Sequence, residues 1–230
     1  NYLMMIADCH LHTEFSFDSS TPVTAQIEKA ISLGMKHMCF TDHMDMDFPN
    51  EGEFFLETDT YVKRILEMKE QYKDRINICL GVELGLQKHL QQRLNDYIDQ
   101  YPFDFVIGSM HLLHGEDPYY GAIFERMGDE EAYREYFRET HKNLLKAPKI
   151  NTLGHLDYVV RYGKEKDKYY SYKKYADEIV LIDDTRIVVG AALMALGYDM
   201  NSTNNFELEQ ARKWLMYLKP NIKAIRITPS

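Results

Sequence analysis

The chain has 230 residues and a hydrophobic fraction of 45%, a globular composition at a length that suits one sizeable domain and suffices for a single α/β barrel. Its formal net charge of -9 speaks against a broad phosphate-gripping surface, so nucleic acid is not expected as a partner, although bound cations can reverse the local field around one small anion. No apolar run is long enough to cross a bilayer, no basic segment leads into an apolar stretch at the N-terminus, and Cys9, Cys39 and Cys79 form no C-x-x-C pair, so the expectation is no membrane, no secretory signal, no disulfide scaffold and a reducing cytoplasm.

Apolar runs alternate with amphipathic ones along the chain. "LMMIADCH" reads as a strand ending in polar residues, and "TPVTAQIEKAISLG" as a helix with Thr21 as N-cap and Gly34 as terminator. "KHMCFTDH" is a second strand with a polar end, followed by a helix over "TDTYVKRILEMKEQYKD" and a strand over "INICLGVEL". "LQKHLQQRLNDYIDQY" is a helix, "FDFVIGSMHL" a strand, "DEEAYREYFRETHKNLLKA" a long helix and "INTLGHLDYV" a strand. The tail "NIKAIRITPS" reads as a final strand. Such alternation predicts βα units around a mainly parallel sheet, either open and doubly wound or closed into a barrel.

The polar residues favour the barrel. His10 and His12, Asp42 and His43, Glu83, His111 and His155 each follow the apolar core of a different predicted strand. In a (β/α) barrel the C-terminal strand ends converge on one mouth. His10 and His12 are two apart in a strand, so they project to the same face and can bind one metal. An H-x-H pair alone is weak evidence, because two ordinary polar residues give the same pattern. The rest of the set, with Asp18 in the loop after the first strand, changes the weighing. Imidazole and carboxylate together suit Zn, Mn or Fe, and so many ionisable groups in one pocket are costly unless cations compensate them. The remaining histidines read as bystanders: His89 and His141 in helical patterns, His37 at a strand start, and His114 in a loop. Asp157 reads as a partner orienting a ligand histidine or as a plain loop residue.

The stretches "DCHLHTEFSFDSS", "FTDHMD", "GVELG", "GSMHLLHG" and "LGHLDYVVRYG" occur in an order that resembles the PHP (polymerase and histidinol phosphatase) superfamily. The last two are most similar to its histidinol-phosphate phosphatase branch. The resemblance spans roughly residues 5 to 165, and five ordered motifs make it specific. It implies one α/β domain over residues 1–230, a distorted (β/α)7 TIM-like barrel. Two or three divalent metal ions (Zn, Mn or Fe) would sit at the C-terminal ends of its strands. The implied reaction is hydrolysis of L-histidinol phosphate, a small phosphorylated amino alcohol, to L-histidinol in histidine biosynthesis. By the same resemblance, His10, His12 and Glu83 hold one metal; Glu83 bridges to a second completed by His111 and His155; Asp18 and His43 hold a third. Arg161 matches a phosphate-binding arginine, a role suited to a guanidinium fork. Phe15, Phe17 and Tyr162 lie close enough in sequence to these residues to flank the imidazole of the substrate. The nucleophile is then a metal-held hydroxide, with no nucleophile from the protein.

The pattern breaks at the end. The family closes on a strand followed by an S-D-x-H-like motif, whose Asp and His complete the first and third metal sites. No histidine follows His155 here, and Asp199 in "GYDMNSTNN" matches poorly and reads as a turn residue. By this reading the given sequence is incomplete at its C-terminal end relative to the family, or has diverged there. Two rivals follow: another phosphoesterase of the superfamily, such as a nuclease acting on DNA ends, and a metal-binding domain that has lost turnover.

Overall fold

The computed structural model describes residues 7–50, 52–146, 149–165, 179–182, 189, 192–193, 196, 198, 202–218 and 222–226. Its chain gathers into two compact units, the first of residues 1–126 and 142–162 and the second of residues 127–141 and 163–230. Asp199 lies outside the described residues.

In the first unit, β1 (Ala7–Leu11), β2 (His37–Phe40), β4 (Asn77–Gly85), β5 (Phe105–Ser109) and β6 (Thr152–Gly154) lie side by side in that order, with the short β3 (His43–Met44) also on β4. Every pairing is parallel, and the sheet curls into a half-barrel accompanied by helices. The helices α1 (Val23–Ser32), α2 (Thr58–Gln71) and α3 (Gln91–Gln100) each bury one stripe. On α2 the stripe is Tyr61, Val62, Ile65 and Met68, the three-and-four spacing of a helix face. The Tyr61 hydroxyl donates to the Gly81 carbonyl at 2.9 Å, tying α2 to β4.

The ends of α1 are set by different means. Gly34, at φ 76°, follows the helix. Its N–H reaches the Ile31 carbonyl and that of Met35 reaches Ala30, both at 3.0 Å, which is the Schellman pattern that glycine favours. The expected Thr21 cap is not formed. Pro22 occupies the N-cap position with no side-chain cap bond, and the Glu14 carboxylate accepts from the Val23 N–H at 2.6 Å. A proline has no hydroxyl to cap with, so an acid from the preceding loop supplies the acceptor.

β2 and β3 are one strand interrupted at Thr41 and Asp42, both fully buried. β2 pairs with the first half of β4 and β3 with the second, setting His43 opposite Glu83. The break admits the loop after β1. Thr13 donates to Asp42 Oδ1 through its N–H (2.6 Å) and its hydroxyl (3.0 Å), and Ser16 Oγ accepts from the His43 N–H at 2.9 Å. Local backbone groups released from the ladder are thus satisfied by side chains.

The helix α4 (Ala122–Leu144) leaves helical geometry at Gly128, where φ is 74° and ψ is 162°, a conformation open to glycine. In the second unit, β7 (Ile179–Ile182) and β8 (Ile222–Arg226) pair in parallel, so the tail does form the expected final strand. The helix α5 (Asn205–Leu218) contributes Ala211 to a small core with Ala192 and Leu193, against which Trp214 and Leu208 pack.

Candidate metal centre

Six of the seven ligand candidates lie on or just after the C-terminal halves of parallel strands, and Asp18 lies in the loop after β1. His10 is in β1, with His12 directly beyond it; His43 is in β3 and Glu83 in the second half of β4. His111 lies two residues past β5 and His155 one past β6. All line a single cavity of about 730 Å³ except Glu83, which is fully buried beneath it.

Glu83 is the hub. Its Oε2 lies 2.9 Å from His10 Nε2, 3.0 Å from His12 Nε2 and 3.5 Å from His43 Nδ1. Its Oε1 accepts from the Ser109 hydroxyl at 2.5 Å and lies 3.2 Å from His155 Nε2 and 3.3 Å from His111 Nε2. Asp18 Oδ2 lies 3.0 Å from His12 Nδ1 and 3.6 Å from His43 Nε2. Three sets of donor atoms fall within 4.8 Å of one another: His10, His12 and Glu83; His12, Asp18 and His43; and His43, Glu83 and His111.

The electrostatics of this pocket set buried imidazoles against buried carboxylates. Burial pushes the His12, His43 and His111 pKa values down, but facing carboxylates outweigh it. His12 is raised to about 9 by Asp18 and Glu83, His43 to about 9 by Asp18 and Asp45, and His111 to about 10 by Asp45 and Glu83. Burial alone would raise Glu83; the facing imidazoles of His10, His111, His12 and His155 instead hold it far below the usual carboxylate range. Asp18 is likewise depressed, by His12 and His43 against its burial. The donor set also fits cations better than it fits itself. The Nε2 atoms of His12 and His111 are buried and close to Glu83, yet neither makes an aligned hydrogen bond. Buried nitrogens of that kind are expensive, and a metal ion gives each a partner.

Of the other expected site residues, Phe17 and Tyr162 line the cavity. Phe15 does not: its ring packs edge-on against Tyr61 at 5.6 Å. Arg161 lines the cavity, with Nη2 2.7 Å from His155 Nδ1 and its guanidinium over the Tyr158 ring. A guanidinium has only donors, so His155 Nδ1 accepts and its proton sits on Nε2. His155 itself has φ 45°, a left-handed conformation uncommon for a side-chain-bearing residue. The preceding Gly154 makes the approach possible, because a Cβ there would overlap the Ser109 hydroxyl. Asp157 is exposed before a turn of 3-10 helix.

Two residues escaped the sequence reading. Ser109 anchors Glu83, and Asp45, with its side chain 3% exposed, binds both His43 and His111. Asp45 follows His43 by two positions in "FTDHMD", a spacing that in extended chain returns to the same face.

A PHP domain family model matches residues 8–188. The chain belongs to the PHP domain family. It is 36% identical over 193 residues to a probable histidinol-phosphatase of Clostridium acetobutylicum, covering 80% of this chain and 72% of that protein. It is 37% identical over 162 residues to the histidinol-phosphatase of Lactococcus lactis, covering 70% of this chain and 60% of that protein's length. Among solved structures, the histidinol phosphate phosphatase of Lactococcus lactis, complexed with Zn, L-histidinol and phosphate, superposes with a TM-score of 0.71 at 27% identity, covering 95% of each chain. No helix among the described residues is long and apolar enough to cross a membrane.

Proposed function

We propose that this protein is a metal-dependent phosphomonoesterase that hydrolyses L-histidinol phosphate to L-histidinol and phosphate, built as one distorted (β/α)7 PHP barrel over residues 1–230. The observation that carries the reading is the convergence of five imidazoles on one buried carboxylate, that of Glu83. The histidinol-phosphatase relatives name the substrate.

His10, His12 and Glu83 would hold one divalent cation, Glu83, His111 and His155 a second, and Asp18 and His43 a third. Zinc is supported by the Lactococcus complex; manganese and iron suit the same ligands. Bound there, such ions supply an activated water as nucleophile and neutralise charge on the phosphoryl oxygens. The chain's own residues do the rest. Glu83 offers one oxygen to each of two donor groups, held in place by Ser109. Arg161 orients the phosphate. In the described arrangement it holds His155 Nδ1, so His155 can turn an Nε2 lone pair to a cation only when Arg161 lets go. A His155 that held a cation through Nε2 would carry its proton on Nδ1 and would release the Arg161 guanidinium for phosphate. Two aromatic pairs, Phe17 with Phe54 and Tyr158 with Tyr162, line the cavity and suit the flat imidazole of the alcohol.

The test is to load the full-length protein with zinc, manganese or iron, measure bound metal, and follow phosphate release. Turnover of histidinol phosphate supports the assignment. Metal retention with no turnover of any phosphate ester overturns it, as does activity on DNA 3′ ends with none on histidinol phosphate.

A further inference from the structure

We propose that Asp45 is a positioning residue that fixes which ring nitrogen of His43 and of His111 faces the cation pocket, and thereby places His43 on the Asp18 side of the centre. The inference rests on the reading of the site as a metal centre. His43 is ambiguous by proximity alone. Its Nδ1 lies 3.5 Å from Glu83 Oε2 and its Nε2 lies 3.6 Å from Asp18 Oδ2, so it stands in two of the three donor groups.

Asp45 decides between them. Its Oδ2 lies 3.1 Å from His43 Nδ1 and its Oδ1 lies 2.7 Å from His111 Nδ1. An ionised carboxylate only accepts, so both rings carry a proton on Nδ1. A neutral ring with that proton has its lone pair on Nε2. For His111 that atom faces Glu83 at 3.3 Å. For His43 it faces Asp18. One carboxylate thus sets the tautomer of ligands in two different groups, while standing in none of the groups itself.

The seat of Asp45 is built for this. Its backbone N–H donates to the Phe54 carbonyl at 2.8 Å. Its carboxylate lies against Gly85 in β4, where a Cβ would overlap the Asp45 oxygen and sit 2.7 Å from its Cγ. The side chain is 3% exposed, so water cannot readily take over the acceptor role. Carboxylates that orient ligand imidazoles in this way are worth roughly 10–100-fold in metal affinity.

The informative variant is Asp45→Asn, which keeps size and shape but offers one acceptor and a donating amide. The amide must face one of the two Nδ1 atoms and force the proton of that ring onto Nε2. Zinc affinity, measured by chelator competition with bound metal counted by elemental analysis, is expected to fall roughly 10–100-fold in Asp45→Asn and in Asp45→Ala alike, with the circular dichroism spectrum retained. An Asp45→Asn protein with wild-type zinc affinity overturns the inference. A second measurement needs no variant: nitrogen-15 spectra of the histidine rings in the zinc-loaded wild type. Protonated Nδ1 and zinc-bound Nε2 in both His43 and His111 support it; zinc on Nδ1 of either ring overturns it. A wild-type protein that takes up no zinc overturns the metal-centre reading itself, a different and separately visible failure.

Discussion

Replacing Glu83 by Gln tests the centre most directly, because it removes one charge and almost no volume. At pH 7, in the metal-free protein, His12, His43 and His111 hold protons with pKa values of about 9, 9 and 10. They face Glu83, Asp18 and Asp45, whose own pKa values are driven down. Glu83 is fully buried, so its loss leaves a positive charge without a partner. The pocket can respond by deprotonating one imidazole. Two pH units below a pKa of about 9, that costs about 3 kcal/mol, the low end of what breaking a buried ion pair costs. For a chain of this size, about 3 kcal/mol lowers the melting temperature by roughly 6–12 °C. Thermal unfolding of metal-free wild type and Glu83→Gln at pH 7 reads that shift directly. The deficit should shrink towards pH 10, where the imidazoles are neutral in the wild type too. Zinc counted on the same samples should drop, because Glu83 faces both main donor groups. Equal melting temperatures at pH 7, or a deficit that grows with pH, would refute the charge argument.

Other outcomes follow from the same geometry. Gly85→Ala should displace the Asp45 carboxylate and cost about 1–3 kcal/mol by overpacking, read by urea unfolding, with zinc affinity falling as in Asp45→Asn. Arg161→Met should raise KM for histidinol phosphate roughly 10–100-fold, the worth of a charged hydrogen bond to phosphate, while bound zinc stays constant or increases because His155 Nδ1 is released. Zinc uptake at pH 7 should expel about three protons per fully loaded protein, from His12, His43 and His111; the number should decline towards pH 10. Indicator-dye titration in weak buffer measures it, and release of fewer than one proton would contradict the raised imidazole pKa values.

Much of this candidate site is legible in the sequence. His10 and His12 share a strand face by their spacing, and Glu83, His111 and His155 follow apolar runs that become β4, β5 and β6. What sequence does not carry is register. Nothing in "FTDHMD" says that the strand breaks at Thr41 and Asp42, that His43 ends opposite Glu83, or that Asp45 then lies between two rings from different strands. The α1 cap failed for a related reason. Thr21 has the right chemistry one residue too early, and the acceptor that replaces it, Glu14, comes from a loop whose path depends on the Asp42 contacts. Phe15 was placed by proximity in sequence to His12, but neighbours in a tight loop point in different directions, and its ring turns to Tyr61. In the tail, β8 was visible as an apolar run, whereas the four-residue β7 and the helix α5 were not read.

In a metal-free sample, protons on the imidazoles are expected to compensate the buried carboxylates of this pocket. Folded-state pKa values above 6.5 mean that His12, His43 and His111 stabilise the metal-free fold fully below about pH 6.5, and that this contribution is lost as pH rises through about 9 to 10. Glu83, Asp18 and Asp45 have depressed values, so their contribution is present above the ordinary carboxylate range and lost in acid. Between those limits protons on the rings do what metal ions would do, compensating the same carboxylates from the same side. Cations would compete with protons for the His Nε2 positions, so metal binding is expected to strengthen with pH over the range in which the metal-free fold weakens. A pocket arranged this way would keep its candidate ligands gathered ahead of a metal. Asp45 adds direction to that arrangement: by holding Nδ1 of two rings it lets the exchange of proton for cation happen at Nε2, without either ring having to turn.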